Sequence, residues 1–580
     1  MPARAKRARR LAACTALVLS AGMLLAAPAS ADDTAPAPRR ATQPRVPAAG
    51  AQPTLTLPDR TVKKTPRVAG VDGVKAAVVP ALPRFDVTGD GFSDILYRGI
   101  DDNLYVTPSG NADTYAYYMG MDDLNEKYKD IIRPGDLNQD GSPEILTLSA
   151  SGTLSLRSSQ DATGASYPYW SGTGWQRYNK VVSVGDMNGD GRGDLLARTP
   201  SGDLYLYTAT GDLGGAPFKA GVKVGYGWGS YDQIVGANDV NGDGIGDIYT
   251  RTPAGDLYYY AGTGNASAPY KARVKVGYGW DIYNQIVPVD DITGDGLGDL
   301  MTRTPGGTLY FYESTGYGTF LQREAGGTGW NVSSLFAGQG GNPDFGKNEL
   351  MARTTGGTLY WYYAKNNGKL SARVKASDTG GWAGANINFP SSLDNDGYAE
   401  LLETYDGTLY NGGSSLGGGW SGYNALVGPG DLNSDGKGDL LGRTKSGDLY
   451  LFKGNGFGTK LAARIKVGYG FNTYNKIIGA GDLSGDGIAD IVARAKDGTL
   501  YLYKGTGVAS KPLKARVKIG TGYNIYKQFA APGDLNGDGK ADLVGVDGKG
   551  GVYRYTSTGT GKIDKRVKIG YGWDIYNNLY

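Results

Sequence analysis

Eight times in this chain, three carboxylates and one amide or hydroxyl fall at positions 1, 3, 5 and 9 of the same short phrase. The cleanest copy is Asp186, Asn188, Asp190 and Asp194 in GDMNGDGRGD. The others are Asp86/Thr88/Asp90/Asp94, Asp136/Asn138/Asp140/Glu144, Asp239/Asn241/Asp243/Asp247, Asp291/Thr293/Asp295/Asp299, Asp431/Asn433/Asp435/Asp439, Asp482/Ser484/Asp486/Asp490 and Asp534/Asn536/Asp538/Asp542. Oxygens at alternate positions of a tight loop can converge on one centre, and a hard cation such as Ca2+ takes six to eight of them at about 2.3–2.6 Å. Glycine at position 6 permits the turn, and a backbone carbonyl at position 7 can add a further oxygen. Without a cation the phrase is a Gly/Asp-rich turn. Three carboxylates in nine residues repel, however, and such a cluster needs a counter-charge. Calcium is therefore the expected cofactor. Two further copies are degraded: residues 342–349 keep Asp344 and Glu349, and residues 392–400 keep Asp394, Asp396 and Glu400.

These loops recur every 50 to 53 residues over most of the chain, so they sit in repeats, and the repeat unit determines how they are held. In one unit, Gln233–Ala237 enters the loop and Asp247–Arg251 leaves it. A turn at Pro253–Gly255 leads to Asp256–Tyr260, and Arg273–Trp280 completes the repeat. All four segments have strand composition, and no helix-length pattern appears from residue 80 onward. Four short strands per repeat and about ten repeats predict an all-β chain built as a β-propeller. Lys and Arg alternate with aliphatics on the last strand (Arg273/Lys275, Arg464/Lys466, Arg516/Lys518, Arg566/Lys568), as expected of an outer edge protected against pairing. The Arg that recurs on the second strand (Arg98, Arg198, Arg251, Arg303, Arg353, Arg443, Arg494) reads as a structural ion-pair partner rather than a ligand reader.

A second constellation is aromatic. After a glycine at the end of the last strand comes Trp175, Trp228, Trp280, Trp330, Trp382, Trp420, Phe471, Tyr523 or Trp573. A Tyr follows three residues on in most copies, and then Asn or Asp. Flat rings can pack between repeats, or stack on the C–H faces of sugars while Asn and Asp supply directional hydrogen bonds. On the second reading the ligand residues are Trp228, Tyr231, Asp232, Trp280, Tyr283, Asn284, Tyr474 and Asn475.

Other chemistry is excluded by composition. There is no histidine, and the single cysteine is Cys14, so His- and Cys-based catalysis and His-ligated zinc are absent. Of the 57 acidic residues only seven are Glu, and most Asp is committed to the repeated loops. Glu313, Glu324 and Glu403 stand outside the repeat as candidates for carboxylate-dependent glycoside cleavage, and no enzyme is expected. The basic, then apolar, then Ala29-Ser30-Ala31 start reads as a signal peptide over 1–31, which implies a secreted, extracellular protein. Residues 32–79, rich in Ala and Pro, read as a flexible stalk or pro-segment. The body after them is net acidic, which argues against nucleic acid, and no segment beyond the leader is apolar enough to span a membrane.

The Asp-x-Asn-x-Asp-Gly-x-x-Asp loops between strands resemble FG-GAP/VCBS repeats, the calcium-loop blades also found in integrin alpha propellers. They also resemble the opening of an EF-hand loop without its closing Glu. The segment ARVKVGYGWDIYNQIV (272–287) resembles the tachylectin repeat, from a five-bladed propeller lectin that lacks such loops. These resemblances imply a secreted calcium-binding lectin recognising surface or cell-wall glycans multivalently. The alternative is an extracellular protein-interaction or adhesion scaffold. Ten repeats of tachylectin length imply two five-bladed rings over 80–335 and 336–580, with one larger ring as the alternative.

Overall fold

The computed structural model describes residues 53–60, 82–110, 116–120, 128–161, 163–341, 347–377, 381–394 and 396–580. The leader expected over 1–31 and the degraded loop residue Asp344 lie outside them. Among the described residues there is no α-helix, and ten antiparallel sheets, nine of them four-stranded, make a β-propeller architecture.

The third complete repeat shows why each segment becomes a strand. Gln233–Asn238, Asp247–Arg251, Leu257–Tyr260 and Val274–Gly277 form one sheet, with Val235 opposite Tyr249, Thr250 opposite Tyr258 and Tyr258 opposite Lys275. The first two strands are buried along their whole length, apolar or small in their middles, with the polar Gln233, Asn238, Asp247 and Arg251 at their ends. The last strand is half water-facing. The alternating Lys falls on it and the Arg just before it, and each Arg lies over the ring of a tyrosine on the third strand, as Arg273 does at 4.4 Å from Tyr258. The edge is thus capped by cation–π contacts as well as by charge.

The expected last strand is shorter than its apolar pattern suggests. Gly279, at φ 73°, takes the left-handed conformation that favours glycine. It breaks the strand and starts a single 3-10 turn, Trp280–Ile282. The same Gly-aromatic turn follows the last strand in eight repeats (Trp175, Trp228, Trp280, Trp330, Trp420, Phe471, Tyr523, Trp573). It swings the aromatic ring inward rather than along the sheet.

Two pairings connect distant parts of the chain. Ser333–Phe336 pairs with Ile95–Gly99, and Tyr576–Leu579 pairs with Glu349–Thr354. Each late segment serves as the first strand of a sheet whose other strands come more than 200 residues earlier in the chain.

Within the stretch expected to be a flexible stalk, residues 53–60 run along an edge instead. The Thr54 and Thr56 amides donate to Thr328 and Gly326 carbonyls at 3.0 Å, and the Trp330 indole donates to the Thr54 carbonyl at 2.8 Å. Leu55 and Leu57 pack on the core beside them. The short alternation Leu55-Thr56-Leu57 is the signal for this strand-like segment.

Candidate functional site

The eight intact loops share one hydrogen-bond scheme. The Asp at position 1 (Asp86, Asp136, Asp186, Asp239, Asp291, Asp431, Asp482, Asp534) accepts the amide of the glycine at position 6 at 2.6–2.8 Å. The Asp at position 5 (Asp90, Asp140, Asp190, Asp243, Asp295, Asp435, Asp486, Asp538) accepts the amide two residues on at 2.9–3.1 Å. These bonds wind the loop and leave carboxylate lone pairs facing its centre.

The ninth position has a second duty that was not read from the sequence. Its carboxylate is fully buried and joins the loop to the far end of the third strand. Asp194 accepts the Met187 amide at 3.1 Å and the Ala209 amide, fifteen residues on, at 3.0 Å. Asp94, Asp247, Asp299, Asp490 and Asp542 repeat the second bond to Ser109, Gly262, Ser314, Gly505 and Ser557. The constant fifteen-residue offset to the end of the third strand was the available signal.

The residues fit a hard cation. Oxygens of Asp136, Asp140 and Glu144 lie within 4.8 Å of one another. Glu144 Oε1, Thr293 Oγ1 and Ser484 Oγ are buried oxygens with no hydrogen-bond partner. Burial, followed by repulsion from the neighbouring carboxylates, raises Asp94 and Asp194 to about 7 and Glu144 and Asp439 to about 8. Asp247, Asp299 and Asp490 are pushed well above the carboxylate range, with burial the largest cause. Carboxylates this reluctant to ionise want either a proton or a positive charge among them. At position 3, Asn188 and Asn536 turn their amide NH2 toward Asp190 and Asp538, while Asn241 and Asn433 turn it toward Asp247 and Asp439. Asn138 donates to Asp140, and Thr88 to Asp94. In the degraded copy, Glu400 still accepts the Leu393 amide at 2.7 Å, and Ser392 donates to Asp394.

The opposite end of each sheet carries the recurring Arg. Arg198 donates through Nη1 to the Trp228 and Tyr231 carbonyls and through Nε to Asn179 Oδ1. Arg251, Arg303, Arg443 and Arg494 repeat the pattern against the next 3-10 turn. The Nε partners are Asp232, Asn284, Asn424 and Asn475. Each Arg therefore fastens one sheet to its successor; Arg251 pairs with Asp232 at 2.6 Å, and Arg98 lies 3.9 Å from Asp102.

The proposed sugar-stacking rings are packed. Trp228 stacks on Tyr260 with centroids 4.9 Å apart, and Trp280 lies 4.5 Å from Tyr312. Tyr231, Tyr283 and Tyr474 pair their hydroxyls with Tyr260, Tyr312 and Tyr503. None of these five rings has an open face, since all are buried. Asn284 is buried too, Asp232 is held by Arg251, and Asn475 is exposed. The exposed aromatics are instead the tyrosines two residues before the buried ring: Tyr226, Tyr278, Tyr469 and Tyr571 are 84–85 % exposed. At the last unit a cavity of about 260 Å3 opens between two sheets, lined by Tyr362, Ser371, Arg373, Gly570 and Trp573 among others.

The two chain halves also meet. The Asn179 amide donates to the Asp486 carbonyl at 2.9 Å, the Asn284 amide to the Asn536 carbonyl at 2.6 Å, and Arg303 to the Gly537 carbonyl at 3.2 Å. Lys540 lies 3.6 Å from Asp232. Loops of residues 482–540 thus rest on the Arg–Asn ends of sheets between residues 179 and 303.

Against known proteins, the chain carries matches to the FG-GAP-like repeat at residues 136–197, 431–493 and 482–545. Among solved structures it is similar to an Agrocybe aegerita lectin described as recognising non-reducing terminal N-acetylglucosamine, at 15 % identity over 84 % of this chain and 93 % of that one, TM-score 0.21. It is also similar to the BP39L lectin of Burkholderia pseudomallei (11 % identity, 76 % and 100 % covered, TM-score 0.22) and to Sqt1 of Saccharomyces cerevisiae (12 %, 78 % and 98 %, TM-score 0.23). No curated protein matches it. Among the described residues no helix is long and apolar enough to cross a membrane.

Proposed function

We propose that this is a secreted β-propeller protein whose loops hold Ca2+ and whose sheet-to-sheet clefts bind surface or cell-wall glycans multivalently. It acts by binding rather than by catalysis. The two long-range strand pairings support two five-bladed rings, over roughly 80–335 and 336–580, because each places the end of five sheets beside their beginning. The carboxylates at positions 1, 5 and 9 of the eight loops and the oxygens beside them would hold the cation, which when bound supplies the positive charge that the buried carboxylates lack.

The observation that carries the glycan reading is the cavity at Trp573. Arg373 and Ser371 offer polar groups, Tyr362 and Trp573 offer ring surface, and Tyr571, next to the lining Gly570, stands free in solvent at the rim. A flat apolar surface beside fixed donors is what a pyranose ring requires, and repetition of the exposed tyrosine allows several weak sites to act together. This shifts the expected stacking residues from Trp228 and Trp280 to Tyr226, Tyr278, Tyr469 and Tyr571. Binding of the intact protein to immobilised glycans tests it. The Tyr226/Tyr278/Tyr469/Tyr571→Ser variant should fold normally and lose multivalent retention. Unchanged retention would favour the protein-scaffold reading.

A further inference from the structure

The Arg–Asn ends of the two halves use the same residues in different settings, and the difference exposes a cleft. In the first half the side-chain amides of Asn179 and Asn284 donate to backbone carbonyls of the 482–540 loops. In the second half Asn424 and Asn475 spend Oδ1 on Arg443 and Arg494, as their counterparts do, but both side chains are exposed. Between them lies an open cleft of about 350 Å3 whose lining includes Lys347, Arg353, Asn388, Arg443, Asn475 and Lys476. Asn388 contributes a buried Oδ1 with no partner, while its amide donates to the Leu426 carbonyl at 2.6 Å. Lys347 donates to the Phe389 carbonyl, with Glu349 as its acidic neighbour. Among the described residues the Lys476 side chain makes no hydrogen bond or ion pair, and the charged groups beside it, Arg494 and Lys347, are both cationic.

We propose that this cleft is a site for an oxyanion carried on a saccharide, a carboxylate-bearing sugar in the first instance. The first half shows what its donors want: each equivalent amide, and Arg303, is satisfied by an acceptor oxygen. Here, among the described residues, the side-chain amides of Asn424 and Asn475 and the Lys476 ammonium meet no such oxygen, while Lys347, Arg353 and Arg443 are held on backbone carbonyls at the cleft wall. Four cations against one carboxylate make the cleft attractive to an anion, and partial burial keeps that attraction from being screened away. The free Asn388 oxygen accepts from a sugar hydroxyl, which a bare anion cannot satisfy. The saccharide part rests on the glycan reading above, whereas the anion part does not.

The test is calorimetric titration of the full chain in Ca2+ buffer with three probes: a glucuronate-terminated trisaccharide, its carboxyl-reduced neutral form, and sulfate. The acidic trisaccharide should bind at least tenfold more tightly than the neutral one. Sulfate should compete weakly. Lys476→Gln should weaken acidic binding roughly tenfold, the size of one charge-assisted hydrogen bond, and Asn475→Ala should weaken it less. Lys223→Gln, on the outer edge of the first half, should change nothing. Thermal melts show whether each variant is folded. Equal binding of the acidic and neutral sugars overturns the anion site and leaves the glycan reading standing. Sulfate bound in a Lys476-dependent way, with no sugar bound, keeps the anion site and sinks the glycan reading. Indifference to both Lys476→Gln and Asn475→Ala overturns the assignment of this cleft. A concentration-dependent dimer abolished by Lys476→Gln would show the face to be an interface between copies, and would also overturn it.

Discussion

GYGWDIYNQ (277–285) and GYGWDIYNN (570–578) differ at one residue, yet they do different work. Asn284 is 3 % exposed and donates to a carbonyl of the other half, while Asn577 is exposed and touches Arg353. Trp280 is buried against Tyr312, whereas Trp573, packed on Tyr362 at a similar distance, is only half-buried and lines a cavity. The repeat thus specifies an Arg–Asn rivet that is stable by itself. What lies on top of it, protein or solvent, is set by how the two halves come together. The difference teaches that the repeated element is a donor-rich surface which the fold uses once as an internal seam and once as an open face.

The loops give the largest test of that contrast. Loops 482–490 and 534–542 both bind their own carboxylates and support the seam, while loops 136–144 and 186–194 contribute no carbonyl to it. Excess EDTA should lower the melting temperature sharply, because each cation bound only to the native state adds about 2.7 kcal/mol at a hundredfold excess over Kd. Asp482→Asn with Asp534→Asn should cost more than Asp136→Asn with Asp186→Asn, and only the first pair should loosen the seam as seen by hydrogen exchange at Asn284. Superimposable melts with EDTA and with millimolar Ca2+ would break the account of the loops.

A smaller effect separates the two kinds of rivet. Arg303 is fully buried, and burial holds it down to about 10, whereas Arg443 is partly open to water. Arg303→Ala strands three carbonyls and Asn284 in a buried place and should cost about 3 kcal/mol. Arg443→Ala, whose partners can reach water, should cost about 1 kcal/mol. Equal losses in urea titration would mean that the seam does not bury Arg303 as described.

The pH dependence of the cation-free protein has a definite sign. Asp94 and Asp194 have folded values near 7, raised by burial above the ordinary 3.8. The folded chain then holds more protons than the unfolded chain between about pH 4 and 7, so cation-free stability should fall as pH rises through that window. With Ca2+ the slope should flatten, because the ionised form is the one that takes the ion. Melts at pH 5 and pH 7.5, with and without chelator, give the sign. Smallest of all, Tyr226→Ser with Tyr278→Ser should leave stability within about 0.5 kcal/mol, since both rings stand in solvent.

The period, the strands and the oxygen pattern were legible because each recurs in one chain. The second strand Asp247–Arg251 is legible to the residue, and so is the structural role of the Arg, but the expected ion pairing is not what it does: its main contacts are carbonyls and Asn rather than acids. The 3-10 turn was hidden because Val-Gly-Tyr-Gly-Trp continues a strand-like alternation, and only the positive φ of Gly279 interrupts it. The ninth-position carboxylate looked like a loop residue because its partner lies fifteen residues away across two strands. The fate of Asn284 against Asn577 was not legible at all, since identical neighbours surround both.

Glycan binding by the intact chain on an array, with millimolar Ca2+ and again with excess chelator, tests the central claim most directly. The account predicts retention on multivalent glycans in Ca2+ and its loss on chelation, restored when Ca2+ returns. Retention that is indifferent to chelator, or none on any glycan by a protein that melts cooperatively in Ca2+, would contradict it.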